Sequence, residues 1–105
     1  MEFTDAQIER AKWLLYNELV RAETERTLKK EFLKDSRLRG QEFSVDHKLS
    51  IKECYDNDIP VFIAGHECNL EILTKLDNLK KGSKSSITPE QLWEDYTQRE
   101  YDLLD

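Results

Sequence analysis

Cysteine, proline, glycine and long apolar runs are all scarce in this chain. Two cysteines, Cys54 and Cys68, allow at most one disulfide and so exclude a densely bridged secreted scaffold. They fit a reducing cytoplasm as buried thiols. No apolar stretch approaches the roughly 18 residues that a membrane-spanning helix needs. The start, Met-Glu-Phe-Thr-Asp, is acidic and lacks the basic and apolar regions of a secretory leader, so none is expected. The three glycines, Gly40, Gly65 and Gly82, each read as a break between elements, and Pro60 and Pro89 mark a loop and a helix start. Internal repeats and low-complexity tracts are absent. A chain of 105 residues is then one domain by length, able to bury a modest core without disulfides.

Net charge is −6, which argues against nucleic acid as a partner until its distribution is considered. Residues 1–40 carry 9 basic and 8 acidic side chains, residues 41–81 carry 5 and 8, and residues 82–105 carry 2 and 6. Cationic density gathers in Arg26, Lys29, Lys30, Lys34, Arg37 and Arg39, and again in Lys80, Lys81 and Lys84. Lys29, Lys30, Lys34, Arg37, Arg39, Lys80 and Lys81 are the candidate contacts for a phosphate backbone.

Thr4 and Gln7 form a capping-box pattern, and Ile8, Ala11, Leu15, Leu19 and Ala22, widened by Leu14, follow helical spacing. A helix is predicted to about residue 34, with Gly40 breaking the chain. Residues 41–49 alternate as a strand, which sets Asp46 and His47 on opposite faces. Ser50 caps a short helix over Ile51–Tyr55. Val61–Ala64 is apolar, and its periodicity does not choose between strand and helical turn. Leu70–Thr74 reads as a second strand and Lys75–Lys81 as a short helix ended by Gly82. Thr88-Pro89-Glu90-Gln91 opens a last helix with Leu92, Trp93, Tyr96 and Leu103 on its apolar side.

Two strings stand out. Val45-Asp46-His47 lies on a β-type segment. Asn69-Leu70-Glu71-Ile72-Leu73-Thr74 follows, and nine residues after Asn69 comes Asn78-Leu79-Lys80-Lys81-Gly82. Order and spacing resemble the HNH nuclease motif, whose ββα-metal fold holds one divalent cation beside one histidine. The resemblance covers residues 41–86 and rests on Asp46, His47, Asn69, Asn78 and Gly82, with apolar Leu70, Ile72 and Leu73 in place. Where many members have a third-position histidine, this chain has Asn78, a variant the family accepts. The second cysteine pair of zinc-stapled members would fall on Thr74 and Asp77, so no structural zinc is expected.

The resemblance implies an α+β domain in three parts. These are an N-terminal helix in 1–40, a ββα-metal core in 41–82, and a loop with a C-terminal helix in 83–105. It implies a metal-dependent endonuclease acting on DNA. His47 would be the general base that activates water, Asn69 the residue that fixes the loop and orients it, and Asp46 and Asn78 the ligands. A carboxylate and an amide oxygen suit Mg²⁺, with Mn²⁺ as a substitute. His66, in a Gly-His-x-x-Asn-Leu arrangement, either contacts phosphate or caps the loop. One site cuts one strand, so a monomer would nick and a homodimer would cut both. Stand-alone members of this kind resemble those of bacteriophages and mobile elements, which implies the cytoplasm of a bacterial host.

Two rivals stand beside this reading. His47, Cys54, His66 and Cys68 make a Cys₂His₂ set within 22 residues, though on no zinc-finger spacing. The acidic balance also suits a non-enzymatic phage-type regulator that binds a host protein.

Overall fold

The computed structural model describes residues 2–29 and 43–104. Among them the protein is mixed helix and sheet, in the order α1 (Asp5–Thr27), β1 (Phe43–His47), α2 (Ile51–Asp56), α3 (Val61–Ala64), a 3₁₀ turn (Glu67–Asn69), β2 (Leu70–Thr74), α4 (Lys75–Lys81) and α5 (Pro89–Leu104). The predicted extension of the first helix to residue 34, the break at Gly40 and the strand start before Phe43 lie outside the described residues. No described helix is long and apolar enough to cross a membrane.

Local chemistry sets most of the boundaries. Thr4 and Gln7 close the capping box reciprocally at the start of α1. Ser50 and Thr74 each accept a backbone N–H in the first turn of α2 and α4. Thr88 and Gln91 do the same reciprocally for α5. Gly82 ends α4 at φ +59°, in the left-handed region where a Cβ is costly. The ambiguous Val61–Ala64 segment is a helical turn, opened by Pro60.

β1 and β2 pair antiparallel, Phe43 opposite Thr74 through His47 opposite Leu70, and α4 follows β2 without a loop. A lone two-stranded sheet is marginal in water and needs packing. The core beside it gathers Val20, Leu49, Cys54, Ile59, Ile63, Ala64, Cys68 and Leu92, with Tyr16, Ile51, Val61, Ile87 and Tyr96 against its edge.

The buried face of α1 differs from the one its apolar spacing predicts. Ile8, Leu14, Leu15 and Leu19 are exposed, and Val20 and Thr24 are buried. Polar anchors turn the helix. The Tyr16 hydroxyl donates to the Ile59 carbonyl at 2.6 Å and the Thr27 hydroxyl to the Gly65 carbonyl at 2.8 Å. α5 departs in a similar way: Leu92 is buried and Tyr96 packs on the core, but Trp93 and Leu103 are exposed.

Gly65 lets α1 approach α3. A Cβ there would lie 2.8 Å from Glu23 Cβ and 3.0 Å from the Thr24 backbone nitrogen. Gly65→Ala is therefore expected to push α1 outward and cost about 1–3 kcal/mol, as overpacking does. A thermal melt reads this directly, and an unchanged melting temperature would show that α1 is not seated on Gly65.

Candidate active site

His47 ends β1 and points to α1. Its Nε2 lies 2.9 Å from Thr24 Oγ1, and the Thr24 hydroxyl donates its only proton to the Val20 carbonyl at 2.8 Å. The network therefore assigns the ring proton to Nε2, which donates to Thr24, and leaves the lone pair on Nδ1. Burial pushes the His47 pKa down to about 4. Asp46 opposes the shift, and Arg21 and Lys81 add to it. The imidazole is thus neutral at pH 7, as a proton acceptor must be.

Asn69 is fully buried where the 3₁₀ turn meets β2. Its Oδ1 accepts from the Leu49 N–H at 2.8 Å, and its Nδ2 donates to the carbonyls of Leu49 at 3.1 Å and Ala64 at 2.9 Å. Its own carbonyl accepts from the Lys48 N–H at 2.8 Å. The side chain clamps Leu49 to the end of α3, and the backbone carbonyl holds Lys48. Together they fix where β1 stops.

Asp46 sits opposite Glu71 on β2. Like charges directly opposed destabilise a sheet, and α4 answers with Lys81. The ammonium donates to the Asp46 carboxylate, to Glu71 Oε1 at 3.0 Å and to the His47 carbonyl at 2.7 Å. Burial by itself would lower the Lys81 pKa, but hydrogen bonds to Asp46 and Glu71 outweigh it and raise the value. Lys81, expected to face DNA, is folded inward with 13% of its side chain exposed.

Asp46 and His47 both border an open cleft of about 530 Å³. Its walls bring Trp13, Asn17 and Arg21 from α1, Lys52 from α2, and Gly82, Ser83 and Lys84 beyond α4. Arg21 and Lys84 are exposed. Lys52 pairs with Asp56 at 3.1 Å and lies 5.0 Å over the Trp13 ring. Arg21 and Lys52 are cations by the cleft that the sequence did not single out, whereas Lys84 belongs to its second basic cluster.

The remaining candidates are dispersed. Asn78 is half-buried on α4, one turn before Lys81. It does not line the cleft, and no described hydrogen bond joins it to Asp46. His66 takes the loop-capping alternative: its Nδ1 accepts from the Cys68 N–H at 3.1 Å and its ring packs edge-on against Tyr96. Lys29 and Lys80 are exposed, while Lys30, Lys34, Arg37 and Arg39 lie outside the described residues. Cys54 and Cys68 are buried free thiols, pushed up by burial to about 12 and about 11. The Cys54 thiol points to the Leu49 carbonyl while the His47 ring points to Thr24, so the Cys₂His₂ alternative finds no shared centre here.

Among the described residues no three of His, Cys, Asp and Glu gather as an ion cage. A divalent ion here would rest on few carboxylates together with neutral oxygens. Asp46, Glu71 and the His47 carbonyl already converge on one cation, Lys81, and all are hard oxygen donors. That donor set fits Mg²⁺ or Mn²⁺. Comparisons with protein-family models, curated proteins and solved structures return no match for this chain.

Proposed function

We propose that the protein is a metal-dependent endonuclease of the HNH, ββα-metal kind that hydrolyses DNA phosphodiester bonds. The observation that carries this reading is the arrangement around His47. An antiparallel β1–β2 pair runs directly into α4, and the imidazole stands at the end of β1 with Nδ1 unprotonated. Asn69 clamps the chain immediately after it.

In this reading His47 Nδ1 takes the proton of the attacking water. Thr24 holds Nε2, so the ring cannot turn the wrong nitrogen to the substrate. With a pKa near 4 the ring is a weak acceptor in the free protein. A DNA phosphate entering the cleft brings negative charge and raises that pKa toward the working pH. Arg21 and Lys84 on the rim supply the positive field that draws the backbone in. A divalent ion at Asp46 would supply Lewis-acid stabilisation of the charge that develops on the phosphoryl oxygens; Asn78, the second ligand the motif implies, would have to turn from its place on α4 to reach it. The products are 5′-phosphate and 3′-hydroxyl ends.

The test is a supercoiled plasmid incubated with the purified, folded protein in Mg²⁺, Mn²⁺ or EDTA. Nicking in either metal and none in EDTA is expected, and Asp46→Ala should lose metal affinity and cleavage together. Intact plasmid in both metals, or equal cutting in EDTA, would defeat the reading. Intact plasmid would favour the acidic interaction module.

A further inference from the structure

Asp46 and Glu71 bring two carboxylates to one place on the sheet, each about three-quarters buried. Water cannot fully screen such a pair, so a cation must stand between them. Lys81 does so, and it meets the His47 carbonyl as well, which uses all three ammonium donors. These acceptors are the hard oxygens that a divalent cation selects. A divalent ion on the same oxygens would meet the ammonium at close range with little screening, which favours one cation at a time.

We propose that Lys81 is an internal counter-cation that holds the Asp46–Glu71 pair in the metal-free protein and is expelled when a divalent ion binds, with Glu71 joining Asp46 as an ion ligand. The nuclease reading supplies only the ion's role. The exchange itself follows from charge and geometry. Lysine suits the part, since its point charge rides on a flexible four-carbon stem that can swing without unfolding the helix. Lys81 closes α4, immediately before Gly82, Ser83 and Lys84 on the wall of the cleft. An ammonium released there stands beside the surface where a phosphate would lie. The inward ion pair and the phosphate contact expected from sequence become two states of one side chain.

The experiment uses the full chain without DNA. Lysines are acylated with an amine-reactive ester, with and without saturating Mn²⁺, and labelling is followed residue by residue by mass spectrometry. Lys81 should label slowly in EDTA and several-fold faster in Mn²⁺, while Lys12 and Lys29 stay constant. In calorimetry Lys81→Met should bind Mn²⁺ about tenfold more tightly than the parent, a change of about 1.4 kcal/mol, and Glu71→Gln more weakly. Unchanged Lys81 labelling in Mn²⁺ would overturn the exchange, as would a Lys81→Met affinity no tighter than the parent's or no Mn²⁺ binding by either protein. The labelling arm needs no variant, so it decides even where Lys81→Met folds poorly. Expulsion of Lys81 with an intact plasmid would defeat the nuclease reading and leave the exchange standing. Cutting without expulsion would do the reverse.

Discussion

His47→Ala is expected to lower plasmid cleavage by ~10²–10⁴-fold, the range for losing a general base, with the fold kept. The substitution leaves the His47 backbone carbonyl in place, so its hydrogen bond with Lys81 survives. Thr24 loses one partner and keeps the Val20 carbonyl, so the stability cost should stay near 1 kcal/mol, a typical single hydrogen bond. Because Asp46 and Glu71 are untouched, Mn²⁺ affinity should match the parent. That combination separates loss of the base from loss of the ion. Thr24→Val is the companion variant. It removes the acceptor that holds Nε2 and should give a smaller fall in rate with little change in substrate affinity. Folded His47→Ala and parent cutting at the same rate would remove His47 from the role of base.

The sequence disclosed the site's frame far better than its surroundings, and the reason is range. β2 and α4 are written locally: Leu70–Thr74 alternates, Thr74 caps, and Gly82 stops the helix at positive φ. The resemblance singled out Asn69 as a loop-fixing residue, and its side chain does bond Leu49 and Ala64. Glu71 was also legible in principle, since pairing His47 with Leu70 puts Asp46 opposite Glu71. Lys81 was the signal for that pair, a cation three residues beyond Asn78, but it reads equally well as a DNA contact. The seating of α1 could not be read, because long-range polar contacts decide it. The apolar stripe Ile8, Leu15, Leu19 outweighs Val20 in any periodicity count. Yet Tyr16 reaches Ile59, Thr27 reaches Gly65, and Thr24 reaches His47. Each of these partners lies at least 23 residues away along the chain. Arg21 was missed for the same reason: only the rotated helix brings it to the cleft.

Asn69→Ala should have the largest effect on stability. The side chain is fully buried and serves three backbone groups, the N–H and carbonyl of Leu49 and the carbonyl of Ala64. Leu49 and Ala64 are themselves fully buried, so water cannot easily replace the lost partner. Each buried group left unpaired costs about 1–3 kcal/mol, and the three together reach several kcal/mol. Against a total of roughly 5–15 kcal/mol for a domain, that is a large share. The melting temperature should fall by tens of degrees, at about 4–8 °C per kcal/mol for a domain near this size. Asn69→Asp divides the contributions. It keeps an acceptor for the Leu49 N–H but turns a carboxylate toward two carbonyls, so it should also be strongly destabilised. Urea unfolding followed by circular dichroism gives both values. Where Asn69→Ala remains folded, in cold buffer without urea, cleavage should still fall, since Leu49 would no longer be held behind His47 and only the Lys48 N–H bond to the backbone carbonyl of residue 69 would remain. An Asn69→Ala protein with the parent's unfolding midpoint would show that the clamp is dispensable, and the positioning of His47 would then have to come from Thr24, Lys81 and the pairing with β2.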